Sequence, residues 1–428
     1  MIGILMFFSA LLLLTLGFPV AFTFGGVSVF FGLFAEGPRI FNMMPHRIWS
    51  IMNNTILMAI PLFIYMGIVL QRSRLAERLL ESMGFLFGEI RGGIAISTVL
   101  VGALLAASTG VVGASVVAMG VISLPVMLKY NYDKRLATGT ICAAGTLGQI
   151  IPPSIILVIL GDVFQEPVGD LFKAAFWPGL SLVGFYVLYI VIITFFKKDL
   201  APAIRLDELL GSKRQQVRSA LLAVIPPLVL IVLVLGSILT GVATPTESSA
   251  VGGIGALILA GIYRQLSVRL AWESALETVK ITAMVFAILI GATAFSLVFT
   301  YTGGDILVED FMMGLPGEKW GFIFLSMAII LVLGFFIDFV EISYIIVPIL
   351  APIAANLGID PVWYAILVAM NLQTSFLTPP FGFSLFYLKG VAPPEVRTVD
   401  IYRGVMPFIC LQMLALAILI FFPKVFGF

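Results

Sequence analysis

The chain has 428 residues, 61% hydrophobic and only 11% charged, against roughly 25% charged in an ordinary soluble domain. With a mean hydropathy of +1.13 the apolar residues lie in runs that soluble cores do not hold, so these segments meet a bilayer. Lys plus Arg (24) nearly balances Asp plus Glu (23), which argues against nucleic acid or a strongly acidic partner; one His and two Cys in apolar runs offer neither a zinc cluster nor a disulfide framework.

Apolar runs fall at about 2–16, 19–34, 53–70, 93–127, 136–161, 174–196, 219–240, 245–263, 278–300, 320–354, 361–388 and 404–423. The first has no Lys or Arg before it, since the first basic residue is Arg39, and reads as a retained span rather than a signal peptide. Ten runs have the length of one crossing. The other two, 93–127 and 320–354, are about 35 residues long and carry small or polar residues at their centres, Ser108-Thr109-Gly110 and Gly334 to Asp338; each predicts a helical hairpin. Segments 71–92 and 303–319 mix charge with Leu75, Leu79, Met83 and Phe87, or Ile306, Leu307, Phe311 and Met312, as interfacial amphipathic helices do. If the N-terminus is outside and each hairpin returns to its own side, inside segments hold 19 of the 24 basic residues. The excess of Lys and Arg on cytoplasmic segments then sets both termini outside.

The halves match at a shift of about 225 residues. Pro19 meets Pro245, Asp133 meets Asp360, Pro152-Pro153 meets Pro379-Pro380, Pro125 meets Pro348, and Asp170 meets Asp400. Each half holds five crossings and a hairpin. Five is odd, so the second copy is inverted in the membrane. The expected fold is an all-α polytopic membrane protein of two inverted-topology repeats, 1–196 and 219–428, joined by a cytoplasmic linker at 197–218.

Inverted repeats place ligand sites near the midplane, where helices break and free their backbone groups. Four breaks qualify: the two hairpin tips, Gly145 to Ser154, and Asn371 to Pro380. A Pro pair removes two amide donors and disfavours helix in the residue before it, leaving carbonyls, hydroxyls and carboxylates as oxygen ligands for a small hard cation. The blander alternative is a kinked helix whose Ser and Thr bond their own backbone. Asp338 at mid-membrane depth is costly to bury and is expected to coordinate a cation, unless its tip dips only shallowly. Glu341, one turn on, is suited to share the cation, take a proton or face water. Glu247 in Thr244-Pro-Thr-Glu reads as a helix cap rather than a ligand, and His46 as a solvated loop residue.

Ala59-Ile-Pro-Leu-Phe-Ile, Gly145-Thr-Leu-Gly with Ile151-Pro-Pro-Ser, Thr244-Pro-Thr-Glu and Gly334-Phe-Phe-Ile-Asp together resemble the large membrane subunit of tripartite ATP-independent periplasmic (TRAP) transporters, over nearly the whole chain. The resemblance implies sodium-driven uptake by an elevator motion in a bacterial inner membrane. It also implies two partners, a periplasmic substrate-binding protein and a small four-helix membrane subunit, and an organic acid as substrate. By the same resemblance Ser108, Gly145, Thr146, Gly148 and Pro152 would hold one Na+, and Gly334, Asp338, Gln373, Thr374, Ser375 and Thr378 another. Substrate would meet Ser108, Thr109, Gly110, Ser154 and Thr378. No organic cofactor is expected. The first tip, Ser108 to Gly113, has a sparser Ser/Gly run than many members, and Glu341 is an additional carboxylate.

A one-component sodium/dicarboxylate-type symporter would have the same ion sites and stays open as an alternative. An intramembrane enzyme is disfavoured, because neither a nucleophile with its base nor a metal cluster lies near Asp338. A passive channel is disfavoured by the lack of a charged ring or repeated filter.

Overall fold

The computed structural model describes residues 2–109, 112–204 and 213–428, without the side chains of 76, 85, 106–109 and 213. Within them every regular element is helical. The first half runs α1 (Ile2–Thr15), α2 (Val20–Ala35), α3 (Met44–Met52), α4 (Ala59–Arg72), α5 (Leu75–Phe87), α6 (Gly93–Thr109), α7 (Val112–Lys129), α8 (Lys134–Thr146), α9 (Ile155–Phe164) and α10 (Val168–Phe196). The second runs α11 (Lys213–Leu239), α12 (Pro245–Ile262), α13 (Val268–Tyr301), α14 (Gly304–Met313), α15 (Lys319–Leu333), α16 (Phe339–Glu341), a π turn at Ile342–Ile346, α17 (Val347–Asn356), α18 (Pro361–Leu377), α19 (Phe383–Val391) and α20 (Thr398–Phe421). Apart from the short α3, the order repeats: three helices, an amphipathic helix, a hairpin, an interrupted helix and a closing helix.

The sequence landmarks of the repeat are helix starts. Asp133 accepts from the Arg135 and Leu136 amides at 2.9 and 3.2 Å, Asp360 from the Trp363 amide at 2.7 Å, and Asp400 from the Arg397 amide at 3.1 Å. A carboxylate there satisfies amides that have no partner inside the helix. Glu247 and Thr244 close a capping box on α12, with the Thr244 amide 2.8 Å from Glu247 Oε2 and the Glu247 amide 3.2 Å from Thr244 Oγ1. His46 is exposed as expected, but on α3 rather than in a loop.

Among the described residues, seven helices are long and apolar enough to cross a membrane, including α7 and the continuous segment Phe339–Asn356, which are the return arms of the two hairpins. Several helices outrun their apolar runs. α10 begins at Val168 and α13 at Val268, the latter with Glu273, Glu277 and Lys280 in its first turns. Hydropathy marks where lipid begins; backbone hydrogen bonding carries a helix on into water. α11 likewise begins at Lys213, inside the expected linker, of which 205–212 lie outside the described residues.

The helices pack in two groups. α12 lies on α4, and α13 on α2 and α4, with α1 and α11 alongside. In the second group α8 is packed by α6, α7 and α20, while α18 is packed by α15, α20, α9 and α8. α8 and α20 cross backbone to backbone: a Cβ on Gly139 would lie 2.0 Å from the Gly404 carbonyl oxygen, and one on Gly404 2.2 Å from that of Arg135. Small residues let membrane helices approach this closely, and main-chain atoms have no rotamer by which to yield. Gly139→Ala is therefore expected to cost about 1–3 kcal/mol of stability, as overpacking does. Thermal unfolding in detergent checks this; an unchanged midpoint would show that the crossing tolerates a methyl group.

Candidate functional site

Each half has one interrupted helix with a proline pair at the interruption, although the pair Pro226-Pro227 leaves α11 continuous. A helical carbonyl accepts from the amide four residues on. Pro152 and Pro153 therefore deprive the Gly148 and Gln149 carbonyls of their helical donors, and Pro379 and Pro380 those of Ser375 and Phe376, of which Ser375 O accepts instead from the Thr378 amide at 3.1 Å. The chain leaves α8 through a 3₁₀ turn at Leu147–Gln149 and re-enters a helix at α9, with extended backbone at Ser154. In the second half, Thr378 is extended and Gly382 adopts a φ of 43° before α19. Both Pro-Pro bonds are cis. A downstream serine rescues one stranded carbonyl in each break: Ser154 Oγ donates to Gln149 O at 2.6 Å, and Ser384 Oγ to Phe376 O at 2.8 Å.

The hairpins meet these breaks. A Cβ on Gly145 would lie 2.3 Å from Val116 Cγ2 of α7, so the first hairpin rests directly on the end of α8. A Cβ on Gly334 would lie 2.1 Å from Ser375 Oγ, so the second tip sits on the hydroxyl row of α18. The Phe339 and Phe376 rings, 5.9 Å apart, extend that contact. Each hairpin also touches the other half. Tyr387 of α19 lies against Gly113 at the start of α7, and α9 packs on α16, α17 and the π turn. The second tip, the start of α7 and the two breaks thus lie together inside the second packing group.

Of the residues read from sequence, Gly145, Thr146, Gly148, Pro152 and Ser154 are buried together in the first break, and Gln373, Thr374 and Ser375 in the second. Thr378 is partly exposed and donates to Thr374 O at 2.7 Å; Thr374 donates to Met370 O at 2.9 Å, Ser375 to Leu372 O at 2.7 Å and Thr146 to Ala143 O at 2.9 Å. These hydroxyls do bond their own helix, as the kinked-helix alternative requires. A hydroxyl whose proton is spent on a carbonyl presents only lone pairs to its other side, which is what a cation requires. Asp338 is half-buried and N-caps α16, accepting from the Phe339 amide at 2.7 Å. Glu341 is 5% exposed and its Oε2 has no hydrogen bond. Gly110 lies outside the described residues, as do the side chains of Ser108 and Thr109, which close α6.

Three buried carboxamides stand at the centre, of which only Gln373 was expected from the sequence to bind an ion. Gln149 and Gln373 are buried with both amide atoms outside hydrogen-bonding geometry, and Gln412 with its Oε1 likewise. The only signal available was a carboxamide inside an apolar run. A separate cavity of about 710 Å³ lies between the groups, lined by Arg47, Asn54, Asp162, Thr293, Ser296 and Tyr344 among others. There Asn54 Nδ2 donates to Asp162 Oδ1 at 2.5 Å, joining the turn before α4 to α9.

A polytopic helical chain whose two re-entrant hairpins close on two interrupted helices has the architecture of a secondary transporter. Residues 7–425 match the family described as the DctM component of the tripartite ATP-independent periplasmic transporter, and the chain belongs to that family. It is 33% identical over 372 residues to the C4-dicarboxylate TRAP transporter large permease protein DctM of Pseudomonas aeruginosa, covering 86% of this chain and 84% of that one. It is 28% identical over 421 residues to the sialic acid TRAP transporter large permease protein SiaM of Vibrio cholerae, covering 97% and 96%. The crystal structure of the YdaH transporter of Alcanivorax borkumensis shares the fold, with a TM-score of 0.63 at 15% identity over 92% of this chain and 90% of that one.

Proposed function

We propose that this chain is the membrane subunit that carries a small organic acid inward, driven by sodium, after a periplasmic substrate-binding protein delivers it. A small four-helix membrane subunit stands beside it. The supporting observation is the pairing of each hairpin with a proline-broken helix whose hydroxyls have spent their protons and keep their lone pairs. In this reading Ser108, Gly145, Thr146, Gly148 and Pro152 hold one sodium ion. Gly334, Asp338, Gln373, Thr374, Ser375 and Thr378 hold the other. The relatives named above carry C4-dicarboxylates or sialic acid, and a carboxylate is common to both. Such a group is received beside bound sodium by Ser108, Thr109, Gly110, Ser154 and Thr378, through hydroxyls and the amides at the tips.

Reconstitution with a candidate periplasmic partner tests the reading. Uptake of an organic acid should rise with an inward sodium gradient and require the partner. Full uptake without the partner favours a one-component symporter, and full uptake driven by protons in sodium-free buffer removes sodium coupling.

The proposed orientation has both termini in the periplasm. In a Cys410→Ser background, where the remaining Cys142 is buried, a cysteine replacing exposed Lys198 should resist an impermeant thiol reagent in intact cells. One replacing exposed Gln165 should react at least about tenfold faster. The reverse pattern overturns the orientation set by the basic residues.

A further inference from the structure

Between the two breaks lie four buried polar side chains, one from each of α8, α10, α18 and α20, and hydrogen bonds join three of them. Gln412 Nε2 donates to Tyr186 Oη at 2.8 Å and, at a longer 3.4 Å, to Thr146 Oγ1. Gln373, whose carboxamide is buried without a hydrogen bond, lies on α18, which packs against the Tyr186 helix α10. All four residues are 1% exposed or less. Their numbering carries a symmetry: Thr146 and Gln373 differ by 227, the same shift that relates the two proline pairs, and Tyr186 and Gln412 by 226. The set therefore straddles the axis relating the halves. Its outer members belong to the two breaks, and its inner members lie in helices to which no ion-binding role has been given.

We propose that Tyr186 and Gln412 are positioning residues that couple the two ion sites, an inference that rests on the sodium reading above. Thr146 gives its proton to Ala143 O and only accepts from Gln412. Gln412 spends its two amide protons on Thr146 and Tyr186, which leaves the Tyr186 proton to turn to the Gln373 carbonyl oxygen. Each bond in such a chain sets the direction of the next. An ion at the first break holds Thr146, and through it orders Gln412, Tyr186 and the rotamer of Gln373. The second ion then meets an oxygen already oriented, and ordering that one ligand has completed is not repeated for the other. Occupancy of the two sites becomes positively cooperative without any large movement.

The test is the sodium dependence of uptake by the reconstituted transporter with its partner. The parent should be sigmoidal with a Hill coefficient approaching about 2, the limit for two sites. Tyr186→Phe, which removes only the hydroxyl, should bring it to about 1 while transport persists at saturating sodium. Gln412→Met, of similar size, should do the same and stands in if the first variant does not fold. Tyr189→Phe, on the same helix but partly exposed, should leave the coefficient at the parent value. A hyperbolic parent curve, or sigmoidal curves in both Tyr186→Phe and Gln412→Met, overturns the coupling and leaves sodium drive standing. Sodium-independent uptake by the parent overturns the sodium reading itself, and the coupling with it.

Discussion

Replacing Asp338 by alanine is expected to abolish sodium-driven uptake, with apparent sodium affinity falling roughly a hundredfold or more. Removing one charged partner from a buried site costs about 3 kcal/mol or more, and each 1.4 kcal/mol is a factor of ten. Asp338 serves a second purpose as the N-cap of α16 through its contact with the Phe339 amide. Two variants separate these roles. Asp338→Asn keeps a capping oxygen but not the charge, and should lose sodium dependence nearly as fully as alanine while the protein stays folded. If asparagine transports normally and alanine does not, the carboxylate is a cap and the ion reading of the second tip is wrong. Glu341→Gln should do less harm, because Ser375 and the tip backbone contact at Gly334, not at Glu341.

The second large effect concerns motion. α1, α2, α4, α11, α12 and α13 pack as one group, and the hairpins with α8, α9, α10, α18 and α20 as another. If substrate and ions ride in the second group, alternating access requires it to slide against the first. α11 packs against α5, α6, α10 and α12, so the place to pin the groups is its contact with α10 rather than with the interrupted α8 and α9. A Cβ on Gly169 would lie 3.5 Å from Ile238 Cγ2, so the two β-carbons stand no more than about 5 Å apart, near the separation a disulfide bridges. In a Cys410→Ser background, oxidised Gly169→Cys/Ile238→Cys protein should retain sodium binding, measured by calorimetry. Its uptake should fall to background and return fully on reduction. Full transport in protein shown to be completely cross-linked would count against any rigid sliding of the two groups. The amphipathic helices α5 and α14 touch both groups and would serve as arms between them.

Much of this architecture was legible without coordinates because lipid leaves few choices. A backbone in hydrocarbon must bond to itself, so apolar runs become helices, and a run of double length becomes a hairpin. The proline pairs at Pro152-Pro153 and Pro379-Pro380 marked both interrupted helices, whereas α11 runs unbroken through Pro226-Pro227, so a pair locates a break only where the flanking sequence and packing allow one. Asp133, Asp360 and Asp400 revealed the duplication because caps mark helix starts. Where water resumes, that logic weakens: α13 continues well below its apolar run, and α3 was not foreseen.

What composition and punctuation determined, then, was the helical membrane fold, its doubled order and the location of the breaks. Tertiary structure alone decided which faces meet. Helices that are apolar all round carry no periodic stripe to fix their rotation, so packing of small residues and scattered polar groups sets it instead. That is why the close crossing at Gly139 and Gly404, the Asn54 to Asp162 bridge and the Tyr186 to Gln412 bond were invisible in the sequence. Each joins residues more than a hundred positions apart, and each depends on a rotation that no single helix specifies.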